Sequence, residues 1–276
     1  MAISDDFGNI NKLLLNIIED NTEQSAFEWL KMAGSAGEIN KLGQAFVMLP
    51  RKTGKARLRV SDLQKQGAEA AGIAYVIDWS IDRLARVWLL SIQSFTDAEK
   101  SHPLIEQLFL AAEMNEAVAL YSALPFLAEP ATWVKRCAEG IRSNIGSVLE
   151  SIMENNPYSS TYLDEAAWNQ LVLKAFFTEK NIGKINGLEV RANEQLALTL
   201  SDYARERYAA GRKVNPELWR LTGPFINEQI FEAIKIGLNN NDKAEHEAIA
   251  LAISKSDYAP AKAYISQIPE LSTPGK

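Results

Sequence analysis

The residues of this chain best able to do chemistry gather around a polar elbow, Asn155-Asn156-Pro157-Tyr158-Ser159-Ser160. Before it, apolar residues at Val134, Cys137, Ala138, Ile141, Ile145, Val148, Leu149, Ile152 and Met153 step by threes and fours, as one helical stripe does. At about 100° per residue, Arg142 and Asn144 fall on opposite borders of that stripe, and Asn155 and Asn156 lie near its centre line. Polar groups so placed need partners, because burying one unpaired costs roughly 1–3 kcal/mol. One reading is a ligand pocket of Arg142, Asn144, Asn156, Tyr158, Trp168 and Asn169. Arg142 would meet a carboxylate or phosphate there, and the amides and Tyr158 would orient the ligand. The other reading is structural: Arg142 pairs with Glu139 or Glu150, and the asparagines cap the elbow.

Two long helices have to position these groups. Pro157 drives Asn156 out of the helical region, which ends the first helix. Thr161-x-x-Asp164 then opens the second, its hydroxyl accepting from an orphan backbone N–H. That second helix carries Leu163, Ala167, Leu171 and Phe176, with Trp168, Asn169 and Lys174 among them.

Other constellations say less. Asp78 and Asp82 share a helix face and could hold a divalent cation, but Asp82 can as well pair with Arg86 one turn on. Arg207 continues the Leu196, Leu200, Tyr203 stripe beside Asp202, Glu206 and Arg212, where it snorkels or meets an inter-helix acid. The basic loop Arg51 to Arg59 holds Gly54-Lys55, but Ala56 stands where a Walker loop needs Ser or Thr, and no strand precedes it. His102 and His246 are the two histidines and Cys137 the one cysteine, so a Cys/His zinc site lacks raw material. Ala33-Gly34-Ser35-Ala36-Gly37 lacks the first glycine of a nucleophile elbow. Cys137 reads as a small buried hydrophobe. No metal or cofactor is expected.

Composition bounds the rest. The 276 residues are 47 % apolar, with net charge −6. That balance argues against duplex nucleic acid as a main partner, and the single cysteine implies no oxidising compartment. The start, Met1-Ala2-Ile3-Ser4-Asp5-Asp6, is acidic where a signal peptide is basic. The most apolar window, Leu108 to Ala128, is broken by Glu113, Asn115, Glu116 and Pro125, so no integral membrane span is expected. The reading is cytoplasmic, with peripheral membrane association left open.

Apolar–polar alternation is nearly absent, while Leu and Ala abound, so helix is expected throughout. Expected helices include Ile10–Ile18, Thr22–Ala33, Ile39–Leu49 ended by Pro50, and Ile73–Ile92. Ser61-x-x-Gln64 is a capping box. Pro103 should sit in the first turn of its helix. Leu104–Ala112 and Glu116–Leu124 form a tight pair. Asn193 caps Glu194–Ala210, which Gly211 stops in the left-handed region. Asn215-Pro216 starts a further helix, and Phe225–Leu238, Lys243–Ile253 and Ala259–Ile265 follow. The expected fold is all-α: antiparallel helix pairs stacked into an irregular HEAT/ARM-like superhelix, with a globular bundle as the alternative. Residues 1–268 form a single domain in this reading, and 269–276 a loose tail.

The order of local motifs resembles the EboA family. It is carried by Leu49-Pro50-Arg51 with Gly54-Lys55, by Trp79 with Asp82 and Arg86, and by Glu116-Ala117-Val118-Ala119-Leu120-Tyr121 with Leu124-Pro125. Glu139-Gly140-Ile141-Arg142-Ser143-Asn144, Asn156-Pro157-Tyr158 and Trp168-Asn169-Gln170 with Lys174 continue it. Arg191-Ala192-Asn193, Asp202-Tyr203 with Glu206-Arg207, and Pro216-Glu217-Leu218-Trp219-Arg220 complete it. The resemblance covers about 46–226. It implies a place beside genes for a membrane prenyltransferase, a metal-dependent hydrolase and sugar-phosphate-type enzymes, in making or exporting a small metabolite, and it carries no catalytic residue. The expected role is therefore an accessory binding protein whose partner is another protein of the pathway or a small anionic metabolite. The alternative is an enzyme acting on a prenyl- or phosphate-bearing metabolite, with Glu139, Asp164 or Glu165 as acid or base.

Overall fold

A computed structural model describes residues 7–268. Among them the protein is all-helical, without a named strand. The acidic start and the tail expected at 269–276 lie outside the described residues. No described helix is long and apolar enough to cross a membrane. The chain folds as two compact units, one up to Leu163 and one from Asp164.

The first unit holds α1 (Phe7–Asp20), α2 (Gln24–Ala33), α3 (Leu42–Thr53), α4 (Asp62–Ala70), α5 (Ile81–Thr96), α6 (Ala98–Ala111), α7 (Met114–Ala123), α8 (Val134–Gly140), α9 (Gly146–Met153) and α10 (Pro157–Tyr162). α5 is its spine. It packs on α1, α3 and α7, and α7 packs in turn on α9. Leu84, Val87, Leu89 and Leu90 of α5 are wholly buried, so its apolar cover extends around most of the helix.

Three expected boundaries move. Pro50 does not end its helix: α3 runs on to Thr53 and stops at Gly54, whose φ is +76°. Pro50 lacks an N–H, so the carbonyl of Phe46 loses its intrahelical partner. Arg86 Nε of α5 supplies the missing donor at 3.0 Å. The helix expected over Ile73–Ile92 is split into a 3-10 turn, Ala74–Asp78, and α5. At the split, Leu58 N donates to Trp79 O (3.1 Å) and Ile81 N to Ala56 O (2.9 Å), so the basic loop is pinned along Trp79–Ile81. Pro103 lies in the second turn of α6 rather than the first, because Asp97 caps that helix by accepting from Lys100 N.

The helix expected across Val134–Met153 is likewise two, α8 and α9. The break follows Gly140, which is needed for close approach: a Cβ there would stand 2.5 Å from Tyr121 and 2.6 Å from Ile152. Ser143 Oγ then accepts from Ile145 N (3.1 Å), a local bond that competes with continued helix.

The second unit holds α11 (Glu165–Phe177), α12 (Glu194–Ala209), α13 (Glu217–Thr222), α14 (Glu228–Leu238), α15 (Lys243–Ser254) and α16 (Ala259–Ile265). Again alternate helices pack, α12 on α14 and α13 on α15. Asn193 caps α12 by accepting from Leu196 N (2.8 Å), and Gly211 follows that helix at φ +65°, both as expected.

Candidate functional site

The elbow is built differently from the expected pocket. Asn156 caps α10, accepting from Tyr158 N at 3.0 Å, and its amide donates to Ser151 O (2.8 Å) and Tyr121 O (3.2 Å). Tyr158 is 1 % exposed and donates to Pro130 O, and burial pushes its phenol well above the usual range. Pro157 opens α10, and the expected cap Thr161 instead donates to Pro157 O (2.8 Å). Asp164 is the residue that caps α11, accepting from Ala167 N at 2.8 Å.

Arg142 is exposed on the turn between α8 and α9 and meets neither Glu139 nor Glu150 among the described residues. Glu139 is taken by Arg136, at 2.8 Å. Asn144 is exposed on the same turn. In the second unit, Asn169 and Asn193 exchange amide hydrogen bonds of 3.1 and 2.9 Å, tying α11 to α12. Trp168 is fully buried, with the Arg191 guanidinium 4.8 Å from its ring centroid. Glu165 and the capping Asp164 are exposed.

The remaining constellations resolve into structure. Asp82 is buried and paired with Arg86 Nη1 at 3.4 Å, whereas Asp78 is exposed, so the two do not form one cation site. Arg86 also faces Glu116 at 3.5 Å, and Glu116 closes the capping box of α7 with its other oxygen. Burial lowers the Arg86 pKa, and Asp82 and Glu116 oppose that shift. Arg207 Nε donates to Lys213 O (2.9 Å), bracing the chain after α12. Cys137 is buried, and that burial raises its thiol to about 11.

The second unit holds a site that none of these motifs marks. Glu245, on α15, is 1 % exposed. Its Oε1 accepts from Trp219 Nε1 at 3.0 Å and from the Tyr208 hydroxyl, and its Oε2 accepts from Asn240 Nδ2 at 2.6 Å. Burial, and then the bond to Glu245, hold Tyr208 above the usual phenol range. Among the described residues no cation stands against this carboxylate: its charge is met by three neutral donors.

Above it opens a cleft of about 640 Å³, lined by Tyr208, Gly211–Lys213, Ile236 and residues 239–245. That volume lies within the small-molecule range. Arg212, Lys213 and Lys243 are exposed at the cleft. Lys213 reaches Asp242 at 3.6 Å, while Arg212 and Lys243 have no acid partner among the described residues. α15 starts here too, and Asp242 caps its first turn by accepting from Glu245 N at 3.3 Å. One sequence signal could have found the floor: Glu245 shares its helix face with Ile249, Ala252 and Ile253, all buried. A carboxylate in an apolar stripe requires a built set of donors.

A family model, EboA, described as metabolite traffic protein EboA, matches residues 10–223. The match reaches nearer the N-terminus than the motifs from Phe46 onward. No curated protein and no solved structure matches the chain.

Proposed function

The chain belongs to the EboA family, and from that premise we propose an accessory binding protein of a metabolite pathway, acting in the cytoplasm on a small anionic metabolite. The observation that carries this is the cleft over Glu245. Both oxygens of that carboxylate are held by Tyr208, Trp219 and Asn240, which suits a fixed floor better than a base that must take up a proton. Arg212 and Lys243 offer charge to a carboxylate or phosphate, and Asn239 and Asn241 offer amides to its polar body. The packing of alternate helices within each unit supports an irregular HEAT-like arrangement, which suits contact with other proteins of the pathway.

Native mass spectrometry of the protein purified from its own cells tests the reading. A retained small molecule is expected, present in Arg142→Ala and lost in Arg212→Ala combined with Lys243→Ala. Loss in Arg142→Ala alone would move the site to the elbow. A mass free of small molecule, or one carrying a second protein instead, would leave an interaction scaffold.

A further inference from the structure

Arg83, one residue after Asp82 on α5, has a different lot from Arg86. Its Nε donates to Ser122 Oγ at 2.9 Å, and the Ser122 hydroxyl donates in turn to Val118 O, so one edge of the guanidinium is fixed. The plane lies over Trp79, with 4.2 Å from its central carbon to the ring centroid. No carboxylate stands within ion-pair distance of Arg83 among the described residues, and Asp82, its neighbour, is taken by Arg86. Burial lowers the guanidinium pKa to about 10. The two Nη groups, the end that grips an oxyanion in parallel bonds, therefore have no acceptor among the described residues.

Tyr75 shares the Trp79 ring with Arg83. It stands in the 3-10 turn before α5, against Trp79 and Phe126 with centroids 5.8 and 6.4 Å away. Its hydroxyl is buried and has no hydrogen-bond partner. The charge of Arg83 acts on that phenol, though burial outweighs it and holds the group above the usual range. A buried hydroxyl without a partner and a guanidinium edge that no protein group takes up stand on one aromatic ring.

We propose that Arg83 and Tyr75, walled by Trp79 and Phe126, bind the oxyanion group of a small molecule, phosphate or carboxylate, at a site in the first unit separate from the Glu245 cleft. Arg83 supplies charge through its Nη edge and Tyr75 a hydroxyl donor. Ser122 and the indole of Trp79 hold the fork in place.

The test is the thermal midpoint of the whole chain, titrated with inorganic phosphate in one arm and benzoate in the other, at ionic strength held constant with sodium chloride. At least one probe is expected to raise the midpoint saturably, and the tighter arm identifies a tetrahedral or a planar group. Tyr75→Phe should weaken that apparent affinity at least tenfold, Arg83→Met should abolish the response, and Arg212→Ala should leave it intact. In chloride alone Tyr75→Phe should melt at or above the wild type, because it removes a buried hydroxyl that meets no protein acceptor. The proposal is overturned if neither probe shifts the wild type, if Arg83→Met or Tyr75→Phe binds as the wild type does, or if Tyr75→Phe is destabilised in chloride. Loss of the response in Arg212→Ala would assign the anion to the Glu245 cleft and overturn it as well.

Discussion

Arg86 in the first unit and Glu245 in the second are both buried ions, and they are satisfied in opposite ways. Arg86 is met by charge: Asp82 at 3.4 Å, Glu116 at 3.5 Å, and the Phe46 carbonyl at 3.0 Å. Glu245 is met by neutral dipoles from Tyr208, Trp219 and Asn240. The first arrangement sets one guanidinium against two carboxylates, so opposite charges meet directly. The second meets its carboxylate with dipoles alone, beneath an open cleft. The difference teaches where each can act. An ion-paired cluster locks helices together, whereas a carboxylate held by neutral donors under exposed cations keeps a field across the space between them.

Removing Arg86 should break the first region hardest. Arg86→Met leaves Asp82 and Glu116 facing each other in the core and the Phe46 carbonyl unpaired, and should cost about 3–5 kcal/mol, read as a lower urea midpoint at unchanged slope. A neutral Arg86→Met would mean that the acids find water, and the contrast with Glu245 would fall.

Glu245→Leu should cost somewhat less, about 3 kcal/mol, since it strands neutral donors rather than charges. Trp219 fluorescence would report the released indole. If Glu245→Leu proves as costly as Arg86→Met, the carboxylate is balanced by more than these three donors.

The smallest effect belongs to a half-exposed pair that sharpens the comparison from outside. Arg136 bonds Glu106 through Nε at 2.8 Å, and this bond, opposed by burial, lowers the Glu106 pKa. A lowered folded-state value gives stability that is present above the ordinary carboxylate range and is lost as pH falls through the lowered value. Glu106→Gln should remove only that slice, about 0.5 kcal/mol at neutral pH and almost nothing at acid pH, flattening the acid limb of the stability–pH curve. A larger loss at neutral pH would put this pair among the core ions.

Local signals are the legible part of the chain. Ser61 and Gln64 form both bonds of their capping box, and Asn193 and Gly211 bound α12 as their side chains dictate. What escapes is decided at a distance. Pro50 reads as a stop only until a donor 40 residues beyond Phe46 rescues the carbonyl it orphans. The break at residues 141–145 depends on Tyr121 and Ile152 closing on Gly140, which no short window around Gly140 reveals. At the elbow, polar residues bordering an apolar stripe do need partners, as their placement predicts. Asn156, Tyr158 and Asn169 find them in backbone and amide groups of the protein itself. The residues that line the second-unit cleft come from the ends of α12 and α14 and the start of α15, and only their packing brings them together.

The bond between Arg86 and the Phe46 carbonyl bears on how the molecule breathes. In an ordinary helix the last turn frays by itself, because its hydrogen bonds are internal to it. The middle of α3, one turn before Pro50, is fastened as well to a side chain on the most enclosed helix of the unit. Opening at Phe46–Pro50 therefore requires α5 to let go, and α5 lets go only with its acids. Amide hydrogen exchange at Phe46–Leu49 should accordingly follow the slow, cooperative opening of α5, while residues 51–54, bonded within the helix end, exchange by the faster fraying of a terminus.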